Sequence, residues 1–166
     1  MGFLDFIGVS FSERPKTVDN FDVDRFMVDH RVLYATLTPK DKNAHNPMEC
    51  YTKDVSGTIH LTYKFNEESF DGPEKVMRGK AWPTDISSFW KLQFVWPFKA
   101  DYLVTYQSDD KNLTVVTVPS KDYVWLMSKN GYEKELEVKK ALNWLTVNGY
   151  PMDDVKKLPR NDMVYI

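Results

Sequence analysis

Side chains suited to covalent or acid–base chemistry are few in this 166-residue chain, and they are scattered. There is one cysteine, Cys50, and there are three histidines, His30, His45 and His60. A single thiol permits no intrachain disulfide and no cysteine-based zinc site, and the histidines are spaced like no metal site. No Gly-x-Ser-x-Gly elbow, Cys–His signature or phosphate loop supplies a nucleophile with its base. Cys50 reads as a small buried hydrophobe on a strand. The acidic pairs Glu67-Glu68, Asp109-Asp110 and Asp153-Asp154 read as solvated turns. Asn112-Leu113-Thr114 matches an N-glycosylation sequon, which bears only on a secreted chain. The expectation is therefore a protein that is not an enzyme, with no catalytic residue, no metal and no cofactor. The abundant chemistry is aromatic: five Trp, nine Tyr and ten Phe, residues that favour strands and line apolar cavities. Such rings either fill a core or line a pocket for an apolar molecule.

Positioning those rings requires strands, and the pattern predicts them. Ile59, Leu61, Tyr63 and Phe65 alternate with His60, Thr62 and Lys64, the period-2 signature of a half-buried strand. Strands are predicted over 26–38, 48–54, 58–65, 76–82, 89–96, 101–107, 113–118 and 123–128. A hairpin turns at Val55-Ser56-Gly57, and Pro39, Pro83, Pro97 and Pro119 punctuate the rest. The polar stretches 40–46 and 66–74 read as loops. From Glu133 to Asn148 the apolar residues Leu136, Val138, Ala141, Leu142, Leu145 and Val147 switch to helical spacing, and Gly149-Tyr150-Pro151 ends the helix. Residues 155–158 offer a last short strand.

Eight antiparallel strands in up-and-down order can close into a barrel, and the single late helix must dock on its outside. An interior of that size either fills with side chains or holds one small ligand. Alternation groups Ile59, Leu61 and Tyr63 on one face, and likewise Trp90, Leu92 and Phe94. Tyr102, Val104 and Tyr106 follow, then Tyr123, Trp125 and Met127. With these faces inward, the cavity is aromatic, and tyrosine hydroxyls can orient a polar head group. Arg78 and Lys80 lie on a neighbouring strand, where a basic residue at the mouth would pair with a carboxylate or phosphate.

Composition excludes other classes. The chain is 42% hydrophobic and 28% charged, an ordinary globular balance, and its net charge of -2 leaves no electrostatic footprint for nucleic acid. No apolar run is long enough for a transmembrane helix. The start, Met1 to Phe11, is apolar but short, contains Asp5, and lacks a basic leader and a small-residue cleavage site. A cytoplasmic location is the expectation, or a secreted or periplasmic one if the N-terminus was processed. A monomer or weak homodimer is expected, with residues 1–20 as an extension and 21–166 as the barrel domain.

The segment Tyr123-Val124-Trp125-Leu126-Met127-Ser128-Lys129, the helix after it and the closing Gly149–Asp154 resemble the C-terminal third of the bacterial outer-membrane lipocalins and the apolipoprotein D group. Gly79-Lys80-Ala81-Trp82 resembles that family's Gly-Lys-Ala-aromatic strand, and 92–98 followed by Tyr102 resembles its Pro-Phe corner. The similarity spans roughly Pro15 to Asn161. It implies an all-β, eight-stranded antiparallel up-and-down lipocalin-like barrel with one C-terminal helix outside. It also implies non-enzymatic binding or transport of a small apolar ligand, such as a fatty acid or lysolipid. Two departures stand out. Where the family has Gly-x-Trp the chain has Val28-Asp29-His30, and where the packed arginine belongs it has Lys129; Ser108 and Lys111 likewise replace a second motif's Asp and Tyr. A His and a Lys stack poorly as a cation–π pair, so the barrel base must be packed differently, with Phe3, Phe6, Ile7 and Phe11 as candidate filler. Two alternatives are a filled barrel serving as an interaction scaffold through loops 40–46 and 66–74, and a lipid isomerase using Cys50 inside the barrel.

Overall fold

The computed structural model describes residues 15–95 and 97–165; Phe3, Phe6, Ile7, Phe11 and Trp96 lie outside them. Eight strands run in sequence: β1 Asp29–Thr36, β2 Ala44–Lys53, β3 Ile59–Glu67, β4 Glu74–Pro83, β5 Phe89–Gln93, β6 Ala100–Gln107, β7 Leu113–Thr117 and β8 Val124–Ser128. Each is antiparallel to the next, and β8 returns to pair with β1, so the sheet closes. Closure leaves no long edge for another chain to extend. A short helix, α1 (Val23–Phe26), precedes β1, and Asp22 caps it by accepting from the Arg25 amide.

β9 (Tyr132–Glu133) follows β8, and then comes α2 (Glu135–Val147). Val138, Ala141 and Leu145 bury its apolar stripe against Leu33, Leu113, Val115, Val124 and Leu126 on the outer wall. Two positions predicted apolar, Leu136 and Val147, stay exposed at its ends. Gly149 stops the helix at φ 79°, and the Lys121 ammonium donates to the Asn148 carbonyl.

The C-terminal segment does more than add a strand. β10 (Val155–Lys157) pairs with Tyr34–Thr36 of β1, whereas β2 pairs only with Asp29–Arg31. β10 thus takes over the edge of β1 where β2 diverges. Arg160 sits at that parting, donating to the Val32 and Pro47 carbonyls at 3.1 and 2.6 Å and gripping Asp162. β11 (Val164–Tyr165) closes the chain, parallel to β9.

Register shifts in β1, β2 and β6 decide which side chains face inward. Register shifts between Val32 and Tyr34 and between Val104 and Tyr106 interrupt the strict alternation. Leu33 therefore joins the outer core while Val32 and Ala35 join the inner one. The predicted loop 40–46 is shorter than expected, because Ala44 and His45 already pair with Glu67 and Asn66 of β3.

Candidate functional site

Following the strands, one end of the barrel holds the β2–β3, β4–β5 and β6–β7 turns, and we call it the base. The other end holds 37–43, 68–73, 94–95, 97–99 and 118–123, the mouth. At the base the Val18 amide donates to the Val104 carbonyl and the Ser88 hydroxyl to Thr17, so the described part of the leading segment lies against the barrel.

The base is packed solid by rings. Phe21, Phe26, His30, Tyr51 and Trp90 touch one another with centroids 4.2–6.1 Å apart, and Trp90 stacks on Tyr102 at 5.3 Å. The position where the resemblance expects a tryptophan holds His30, which donates from Nε2 to the Phe26 carbonyl at 3.1 Å. Burial lowers its pKa to about 4, so it sits neutral among the aromatics. Phe26 and Trp90 supply the bulk that the altered motif lacks. Above them the Tyr51 and Tyr102 hydroxyls hydrogen-bond to each other, and Tyr51 also donates to the Met127 sulfur.

Most of the predicted lining does face the interior. Ile59, Leu61, Tyr63, Trp90, Leu92, Tyr102, Val104 and Met127 belong to the inner core, with Phe94 and Trp125 packed against it. Tyr123 lies at the mouth, stacked on Trp125 in a small cluster with Ala100 and Val118. Tyr106 does not face in. The register shift after Val104 turns it outward, where it packs on Trp144 of α2 at 5.5 Å. Arg78 and Lys80 are exposed on a strand whose interior positions are Met77, Gly79 and Ala81, so neither reaches the cavity. Cys50 also points away from the interior, since Glu49 and Tyr51 on either side of it are the buried members of β2. Burial pushes its thiol up to about 12, which suits no nucleophile. The sequon asparagine, Asn112, is buried, and its Oδ1 accepts from Ser128 and the Asn130 amide.

A cavity of about 60 Å³ opens at the mouth. Met77, Phe94 and Trp125 form its apolar walls. Gly79 makes room for one of them: a Cβ there would stand 2.8 Å from the Phe94 ring. The polar lining was not foreseen from the sequence. Glu49 is 7% exposed, and among the described residues its Oε2 has no hydrogen-bond partner. Asp41 is buried too, and it accepts from the Thr38 amide and hydroxyl at 2.6 and 2.8 Å and from the Tyr63 hydroxyl at 3.1 Å. Burial, reinforced by Asp41, raises the Glu49 carboxyl to about 8, so it is a neutral acid at pH 7. Lys40 stands exposed at the rim. The signal for Glu49 was available, because it shares its parity on β2 with Tyr51.

The model of the lipocalin-like domain matches residues 21–160. This chain belongs to the lipocalin family. Temperature-induced lipocalin-1 of Arabidopsis thaliana is 27% identical over 131 residues, covering 73% of this chain and 69% of that protein. Among solved structures, insecticyanin from the tobacco hornworm Manduca sexta superposes with a TM-score of 0.68 at 14% identity, over 91% of this lipocalin and 88% of that chain. Lobster apocrustacyanin A1 does so with a TM-score of 0.64 at 13% identity, over 84% and 80%. Family membership implies binding of small hydrophobic molecules, and among the described residues no helix is long and apolar enough to cross a membrane.

Proposed function

We propose that this lipocalin is a non-enzymatic carrier that takes a small hydrophobic molecule end-on through the barrel mouth. The observation that carries this reading is the half-open pocket walled by Met77, Phe94 and Trp125, which lies at the opposite end of the barrel from the ring cluster of Phe21, Phe26, His30, Tyr51 and Trp90. At about 60 Å³ the pocket is far below the roughly 300–1,000 Å³ of drug-sized sites. It seats the end of a molecule, and a longer chain of the fatty-acid or lysolipid kind would extend past Phe94 toward solvent. Binding then rests on burial of apolar surface, partly offset by the ordering of mouth side chains. Titration of the folded protein with a neutral polyene probe should quench tryptophan emission, and Trp125→Phe should remove most of that quenching. If folded protein binds no apolar probe, the carrier reading is wrong.

A second reading has its own observation. Loops 40–46 and 66–74 latch together: the Glu68 amide donates to the Asn43 carbonyl at 3.0 Å, Asn43 Nδ2 to Glu68 Oε1 at 2.6 Å, and His45 meets Phe70 edge-on. They form one firm surface beside the mouth. Failure of every apolar probe would move the function there.

A further inference from the structure

A carboxyl oxygen shut away from water without a partner is costly, and a ligand that supplies the partner removes the cost. Glu49 Oε2 is such an atom, and Glu49 is among the residues that line the mouth cavity. Of the neutral polar groups beside it, Thr38 and Tyr63 give their hydroxyl protons to Asp41, and the Thr36 hydroxyl, which accepts from the Val124 amide, is the donor left over. Asp41 already takes three hydrogen bonds, and Tyr63 has spent its only proton on Asp41. Among the described residues the one basic residue on the lining is Lys40, exposed at the rim. A carboxylate or phosphate head would therefore meet two acids and no buried cation. The remaining wall presents Phe94 and Trp125, whose ring faces attract cations.

On the footing that the barrel is a carrier, we propose that its pocket is built for an apolar amine. Glu49 is the counter-ion of the ammonium group, and the alkyl or aryl part lies against Met77, Phe94 and Trp125. Glu49 is a neutral acid in the empty pocket, held so by burial and by Asp41, with the Tyr51, Tyr63 and Tyr102 phenols around it and Lys40 at the rim. Docking of R–NH3+ ionises it, forms the ion pair and expels the carboxyl proton to solvent, so charge and protons balance.

The test compares hexylammonium, 1-hexanol and hexanoate, which share one chain, by calorimetric titration at pH 7 in two buffers of different ionisation enthalpy. Hexylammonium should bind at least about tenfold more tightly than hexanol, hexanoate should be weakest, and only the amine should release a proton, about one per ligand. Glu49→Gln should bring the amine down to the alcohol's affinity and abolish proton release; should that variant not fold, proton release by the wild type decides. Equal affinities, a preference for hexanoate, or an amine preference that survives in Glu49→Gln would each overturn the amine assignment while leaving the carrier reading intact. If none of the three binds but the neutral polyene does, the amine assignment again falls alone. Should the polyene also fail, both fall together.

Discussion

Glu49 and His30 both lie inside the barrel, one toward the mouth and one at the base, and burial shifts them in opposite directions. Glu49 holds its proton up to about 8 when folded, against an ordinary 4.5. Its contribution to stability is thus fully present below about 4.5 and lost as the pH rises through 8. His30 falls to about 4 from 6.5, so its contribution is present above 6.5 and lost as the pH falls through 4. Each gives a slope of about 1.4 kcal/mol per pH unit within its window. Between 4.5 and 6.5 the two slopes oppose and cancel; from 6.5 to 8 only the Glu49 slope remains. Urea denaturation across pH should therefore show stability declining above 6.5, and Glu49→Gln should flatten that alkaline limb. An unchanged alkaline slope in the variant would show that Glu49 is not the group responsible. At this scale the inward-facing positions were legible from alternation alone, as Ile59, Leu61, Tyr63, Trp90 and Tyr102 show, although only Tyr63 of these five lines the mouth pocket. Glu49 was not, because an acid on a strand is assigned to solvent unless its parity with Tyr51 is weighed first. Nor was the outward turn of Tyr106, since nothing in the composition of β6 announces a register shift.

Among the elements, the strands and α2 were legible because their apolar periods are long and clean. The segments that finish the barrel were not: α1, β9 and β11 span two to four residues each, too few for a period to show. The C-terminal segment matters most; its strand β10 was foreseen at 155–158, but the seam it closes was not. Where β1 and β2 part, two backbone carbonyls lose their ladder partners, and the Arg160 guanidinium meets both while its side chain is only 2% exposed. Asn46 and Asn161 tie the same seam by reciprocal side-chain and amide hydrogen bonds. Arg160→Ala should cost about 2–4 kcal/mol in chemical denaturation, because it leaves buried carbonyls without donors and Asp162 without its fork. Arg160→Lys should recover only part of the loss, as an ammonium cannot span both carbonyls and the carboxylate. Arg25→Ala provides the comparison, since its pair with Asp22 is exposed on both sides and should contribute under about 1 kcal/mol. Equal losses for Arg160→Ala and Arg25→Ala would mean that the seam is held by β10 alone.

For the molecule as a whole, a solid base and a loosely filled mouth make two ends of unequal stability within one closed sheet. The base combines interlocked rings with strand amides bonded on both sides. The mouth has a cavity and loops; each end holds one buried atom without a partner among the described residues, Glu49 Oε2 toward the mouth and His30 Nδ1 at the base. Local opening follows contact density, so the two ends should separate in hydrogen exchange. Amides over 102–105 and 113–117, on the two neighbouring strands β6 and β7, should exchange only through global unfolding, with a denaturant dependence matching that of the whole molecule. Amides over 37–43 and 94–99 should exchange through small openings that denaturant hardly changes. The asymmetry also separates the two functional readings. An occupant of the mouth pocket fills the weak end, so saturation with a bound probe should slow exchange at 37–43 and 94–99 more than that of the core strands. A partner seated on the latched loops should instead protect 40–46 and 66–74 together and leave 94–99 unchanged, because Phe94 belongs to the pocket and not to that surface. Uniform protection at mouth and base in the free protein would refute the two-ended description.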